Sequence, residues 1–333
     1  MHKAKRALCA LFAGLTVGVS AQAQDFQAGL RMITVPGAEP IPVALFYPTL
    51  SPAKAIPMGP FTPTVSMSGA PVSALKGLVL VSHGTGGSEL GHHNLAERLA
   101  QHGYLVAALQ HPRDNYRDRS LHATAAFFSE RPKQVSRVLD ALLAHPEWKD
   151  KIPSGRIGAI GHSAGGYTVV ALGGGVADPS RMASHCKPPA DDAVFCSLGG
   201  ETAKQRVGEA APVAADYAVA DSRIRAVVTM APLAVVFTEE SLARIKVPMQ
   251  IYTAERDTVL KGRYHGERLR TATPNAGFEQ VDNAGHFAFM AQTNFPIAAD
   301  AGDPGANPPG FDRQAFHRRL EQEVTAFFDR HLR

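Results

Sequence analysis

Two patterns of apolar residues alternate along the chain, short unbroken runs and longer stretches in which apolar residues recur every three or four positions. An unbroken run of four to eight suits a strand covered on both faces, whereas the longer spacing puts one apolar stripe on a helix. Strands are therefore predicted at Leu78-Val79-Leu80-Val81, 104–109, 156–160, 224–230, 248–253 and 278–281. Between them, helices are predicted at 95–101, stopped by Gly103, and at 130–145, with Ser129 as N-cap and Pro132 in the first turn. Thr168, Val169, Val170 and Leu172 mark an apolar helix after the third strand, and another follows near 238–245. Ala315, Phe316, Leu320, Val324, Phe327 and Phe328 mark a closing amphipathic helix. Ahead of all these, 28–35 and 41–47 form an antiparallel pair with Pro36-Gly37 as turn, and 48–75 and 295–310 are irregular. Residues 176–222 have no strong apolar period and are expected to form an insertion over the top of the sheet.

Strands alternating with helices imply an α/β fold, a mostly parallel sheet with helices on both faces, in which catalytic groups gather beyond the carboxyl ends of the strands. No linker divides the chain, so 24–333 is expected to be one domain. Residues 1–23 read as a secretory signal: His2, Lys3, Lys5 and Arg6, an apolar run over 7–19, then Ala21-Gln22-Ala23. Cleavage after Ala23 would send the protein to the periplasm or the medium. That run is too short to cross a bilayer, and nothing later reaches the ~20 apolar residues that a membrane helix needs.

The formal charge of +4 rests on 34 basic and 30 acidic residues. Removing Lys3, Lys5 and Arg6 leaves 34 − 3 = 31 against 30, and no basic cluster suggests nucleic acid or anionic lipid. Cys9 would leave with the signal, and in an oxidising compartment Cys186 and Cys196 are expected to pair as a disulfide. Two cysteines with His185 beside them make no recognisable metal site, and no cofactor is indicated.

The predicted strand at 156–160 runs into Gly161-His162-Ser163-Ala164-Gly165, a G-x-S-x-G elbow that would expose Ser163 as a nucleophile. A serine hydroxyl needs a base to take its proton and donors to catch the oxyanion. His286, in a short loop after the last predicted strand, is placed to be that base. The carboxylates able to orient it are Asp257, its neighbour Glu255, and Glu239 or Glu240. The backbone N–H groups of Thr85, in Ser82-His83-Gly84-Thr85-Gly86-Gly87, and of Ala164 are expected to form the oxyanion hole. His162 is expected to pack and His83 to brace the oxyanion loop.

On Val81-Ser82-His83-Gly84-Thr85-Gly86-Gly87, Leu99-Ala100-Gln101-His102-Gly103-Tyr104, Gly161-His162-Ser163-Ala164-Gly165-Gly166 and Gly285-His286-Phe287, the chain resembles the α/β-hydrolase superfamily. Within it the chain looks most like exported dienelactone-hydrolase-like serine hydrolases, platelet-activating-factor acetylhydrolases and bacterial polyester hydrolases. The resemblance implies the chain order Ser163, Asp257, His286 and selects Asp257 as the acid. Two departures limit it. Dienelactone hydrolases use cysteine at the Ser163 position, and the acetylhydrolases take their acid from a place where Met230-Ala231-Pro232 offers no carboxylate. The implied activity is hydrolysis of small or polymeric carboxylic esters; an amidase, peptidase, acyltransferase or non-catalytic binding protein on the same fold stays open, and oligomeric state is not indicated.

Overall fold

The computed structural model describes residues 26–187, 191–198 and 217–333. The expected signal segment 1–23 lies outside the described residues, as do 188–190 and 199–216 of the expected insertion.

In chain order the elements are β1 (Gln27–Val35), β2 (Ile41–Thr49), β3 (Lys54–Ala55), β4 (Thr64–Val65), β5 (Gly77–Ser82), α1 (His93–Gln101), β6 (Tyr104–Leu109), α2 (Phe127–Ala144), β7 (Ile157–His162) and α3 (Ala164–Leu172). The chain continues with α4 (Pro179–His185), α5 (Ala193–Ser197), β8 (Ala226–Met230), α6 (Glu239–Ala243), β9 (Met249–Ala254), α7 (Gly266–Ala272), β10 (Gly277–Val281) and α8 (Arg313–His331). Eight strands form one sheet in the order β1-β2-β6-β5-β7-β8-β9-β10, in which β2 alone runs against the others. The unbroken apolar runs are its centre. Every residue of β5, β6 and β7 is buried, and alternate residues feed the two sides. Leu78 and Leu80 pack with α2 and α3, while Val79 and Val81 pack with α1 and α8. From β5 the chain crosses to β6 on one side and then to β7 on the other, so a crevice opens beyond the carboxyl ends of β5 and β7.

One helix departs from the expected boundary. α2 starts at Phe127, so Ser129 is no N-cap and its Oγ donates to the Ala126 carbonyl at 3.3 Å inside the first turn. Pro132 then sits beyond the first turn, where its missing N–H deprives the Phe128 carbonyl of its i+4 donor. The Tyr167 hydroxyl donates to that carbonyl at 2.6 Å instead. Burial of Phe127 and Phe128 draws the helix start forward, since both pack edge-on or tilted against Tyr167. α7, whose only buried residues are Gly266 and Leu269, carries too short an apolar stripe to be read from spacing.

The described part of the insertion contains α4 and α5, joined by the Cys186–Cys196 disulfide with Cα atoms 5.4 Å apart. Asp192, fully buried, accepts from His185 Nε2 at 3.1 Å and from His265 Nε2 at 2.9 Å, which ties the segment to the start of α7.

Candidate active site

At the end of β7 the backbone turns through Ser163 with φ 57° and ψ −118°, a conformation that side chains other than glycine rarely adopt. Such a residue costs about 1–3 kcal/mol and persists only where its surroundings hold it. Here the Ser163 N–H donates to Met230 O at 3.0 Å, and its carbonyl accepts from Tyr167 N–H at 3.1 Å and Leu233 N–H at 3.0 Å. The elbow glycines are fixed by close approach: a Cβ on Gly161 would lie 1.9 Å from Gly165 O, and one on Gly165 would lie 1.9 Å from Ser82 O. The serine side chain is left half-buried at the crevice.

His286 and Asp257, which follow β10 and β9, meet at this end of the sheet. His286 Nδ1 lies 2.7 Å from Asp257 Oδ2, with both residues buried. Asp257 Oδ1 accepts from the Val259 and Leu260 N–H groups, each at 2.8 Å, which locks the carboxylate in orientation. A carboxylate accepts only, so His286 Nδ1 carries its proton toward Asp257 and Nε2 is left as the basic nitrogen. No hydrogen bond joins Nε2 to Ser163 Oγ in this structure; such contacts often tighten only when substrate binds. Glu255, the rival acid, is exposed and accepts from Asn283 N–H at 2.6 Å. Glu239 is exposed and pairs with Arg268 at 3.4 Å.

His162 does more than pack. Its Nε2 donates to the His286 main-chain carbonyl at 2.9 Å, and the two rings lie 4.9 Å apart. Burial, and then the neighbouring His286, hold His162 well below the usual histidine range, so it is a neutral donor. It links the end of β7 directly to the loop that carries His286.

Thr85 is exposed beyond β5 and Ala164 opens α3. Neither backbone N–H has an acceptor among the described residues. Gly84 lets the two sides approach, because a Cβ there would lie 3.1 Å from Ser163 Cβ. His83 braces this turn as expected: its Nε2 accepts from His111 N–H at 3.0 Å, so the proton sits on Nδ1 and is donated to Gly84 O at 2.6 Å. Burial, followed by the Arg131 charge, lowers His83 to about 4 and keeps it neutral. Among the described residues no group of three or more His, Cys, Asp or Glu side chains could hold a metal ion.

The order of strands and the elbow give the chain the α/β-hydrolase fold. Within it, residues 66–184, from the crossing before β5 to the end of α4, match the model of the dienelactone hydrolase family. Among solved structures, a ferulic acid esterase from Streptomyces cinnamoneus superposes with a TM-score of 0.61 and 20% identity, over 94% of this chain and 92% of that one. In all, 787 solved chains match, and the likeness speaks for the fold alone. No curated protein matches the chain.

Proposed function

We propose that the protein is an exported serine hydrolase that cleaves carboxylic esters through an acyl-enzyme intermediate. The observation that carries this reading is the His286–Asp257 contact of 2.7 Å beside a strained Ser163 at the switch point of the sheet. The similarities to dienelactone hydrolases and to a ferulic acid esterase support ester cleavage as the chemistry. Ser163 Oγ attacks the ester carbonyl carbon while His286 Nε2 takes its proton. The Thr85 and Ala164 N–H groups receive the oxyanion, and the tetrahedral adduct collapses as His286 returns the proton to the leaving alkoxide. Water, deprotonated by the same nitrogen, then attacks the acyl carbon, and His286 passes that proton to Ser163 Oγ as the adduct collapses to the free acid and free Ser163. Asp257 holds the imidazole in the tautomer that this cycle needs and stabilises the imidazolium. Export rests on the basic-apolar-small start of the chain together with the Cys186–Cys196 disulfide.

The test is hydrolysis of p-nitrophenyl esters from acetate to palmitate, alongside labelling by a fluorophosphonate. Wild type should turn over and be labelled at Ser163, and Ser163→Ala should lose about 10⁴-fold or more in kcat. A folded wild type that neither hydrolyses any ester nor takes the label would end this reading.

A further inference from the structure

An ion pair behind the oxyanion turn has no part in the cycle above. Arg131 of α2 and Asp114 of the 110–126 loop are both fully buried and bonded to each other through Nη1 and Oδ2. Taking such a pair out of water is costly, and apolar residues of equal volume often serve stability as well. The partners of Arg131 indicate what the pair does. Nη2 donates to the His83 carbonyl and to Ser82 Oγ at 3.2 Å, and Nε donates to Thr168 Oγ1 at 3.1 Å. The Thr168 hydroxyl passes its own proton to the Ala164 carbonyl at 2.9 Å, and the Thr85 hydroxyl donates to Asp114 Oδ2 at 3.4 Å. One rigid guanidinium is thereby tied to the loop that presents Thr85 and to the helix turn that presents Ala164.

We infer that Arg131 is the positioning residue that sets the spacing between the Thr85 and Ala164 N–H groups, with Asp114 and Thr168 as its relays; this rests on the ester-hydrolase reading. An oxyanion hole works because its donors are fixed before charge develops, within 2.7–3.1 Å of where the oxyanion will lie. The two donors here come from elements 79 positions apart in sequence (164 − 85) that share no helix or strand. A planar fork with donors in three directions can hold both at once, and a lysine ammonium cannot reproduce that geometry. The surrounding hydrogen bonds leave no slack in the arrangement. Gln134 Oε1 accepts from His111 Nδ1 at 2.7 Å, so His111 Nε2 accepts from Ser82 Oγ at 2.8 Å, and the Ser82 oxygen is left to receive Arg131.

Arg131→Lys and Thr168→Val test this, with folding checked by circular dichroism and thermal melting. Arg131→Lys should lower kcat by about 10- to 100-fold, short of what outright removal of a donor costs. KM should stay within about threefold, because the hole grips the transition state more than the substrate. Thr168→Val keeps the side-chain shape but cannot receive Nε, and should lower kcat by about 3- to 10-fold with the same split. Fluorophosphonate labelling should slow in parallel for both, since it builds a similar anionic centre. Folded variants with wild-type kcat, or with a raised KM and unchanged kcat, overturn the role of Arg131 while leaving the ester-hydrolase reading intact. If Arg131→Lys does not fold, Thr168→Val decides alone by the same criteria. A folded wild type that neither hydrolyses any ester nor takes the fluorophosphonate label removes both readings together.

Discussion

Asp257 is distinguished from nearby carboxylates by what surrounds each of its oxygens. Oδ1 is committed to two backbone N–H groups and Oδ2 faces His286, whereas Glu255 lies in solvent. In Asp257→Asn the same two N–H groups would hold the amide oxygen in place and turn the NH₂ toward His286. Nδ1 would then have to accept, the ring proton would move to Nε2, and the base facing Ser163 would be lost. The expected result is a fall in kcat of about 10⁴-fold, against little change for Glu255→Gln. Equal losses from the two substitutions in a p-nitrophenyl ester assay would refute this choice of acid. That Ser163, Asp257 and His286 lie beyond strand ends is legible in the sequence because each follows an apolar run, but the run does not separate Asp257 from Glu255; only the resemblance does. Arg131, Asp114 and the donor role of His162 are not legible, because their partners lie up to 124 positions away and spacing along the chain carries no trace of such contacts.

Elements are readable where burial imposes a period. β5, β6 and β7 are covered on both faces and show as unbroken apolar runs, while the local signal starts α2 about three residues late because a serine and a proline look like a helix start. Tertiary packing overrides that signal: the aromatic pair Phe127 and Phe128 extends the helix, and Tyr167 of α3 supplies the hydrogen bond that Pro132 cannot. This arrangement leads to a double-mutant cycle. Tyr167→Phe strands the Phe128 carbonyl and should cost about 1–3 kcal/mol in chemical unfolding. In a Pro132→Ala background the backbone N–H restored at that position can reach the carbonyl, so the same removal should cost clearly less. An identical cost in both backgrounds would show that Tyr167 does not compensate for the proline.

Across the whole molecule, several histidines are buried as neutral rings. Burial lowers His83 and His317 to about 4 and His92 to about 3, and it holds His111 and His162 well below the ordinary range. In the unfolded chain each titrates near 6.5, so between that value and its folded pKa the unfolded state binds a proton that the native state refuses. The sign follows from this imbalance. The stability due to neutral burial is complete above pH 6.5 and is lost as pH falls toward 4, by up to about 1.4 kcal/mol per pH unit for each histidine. Glu279 and Glu321, raised by burial, oppose this nearer the carboxylate range, which leaves the upper part of the window to the histidines. His92 isolates the effect, since neither of its ring nitrogens has a partner among the described residues and the ring packs 5.4 Å from His162. Denaturant unfolding should therefore show stability falling with increasing slope as pH drops through about 6.5 toward 5, and His92→Phe should reduce the slope by about one proton's worth. A slope unchanged by His92→Phe would mean that this ring accepts its proton in the folded state.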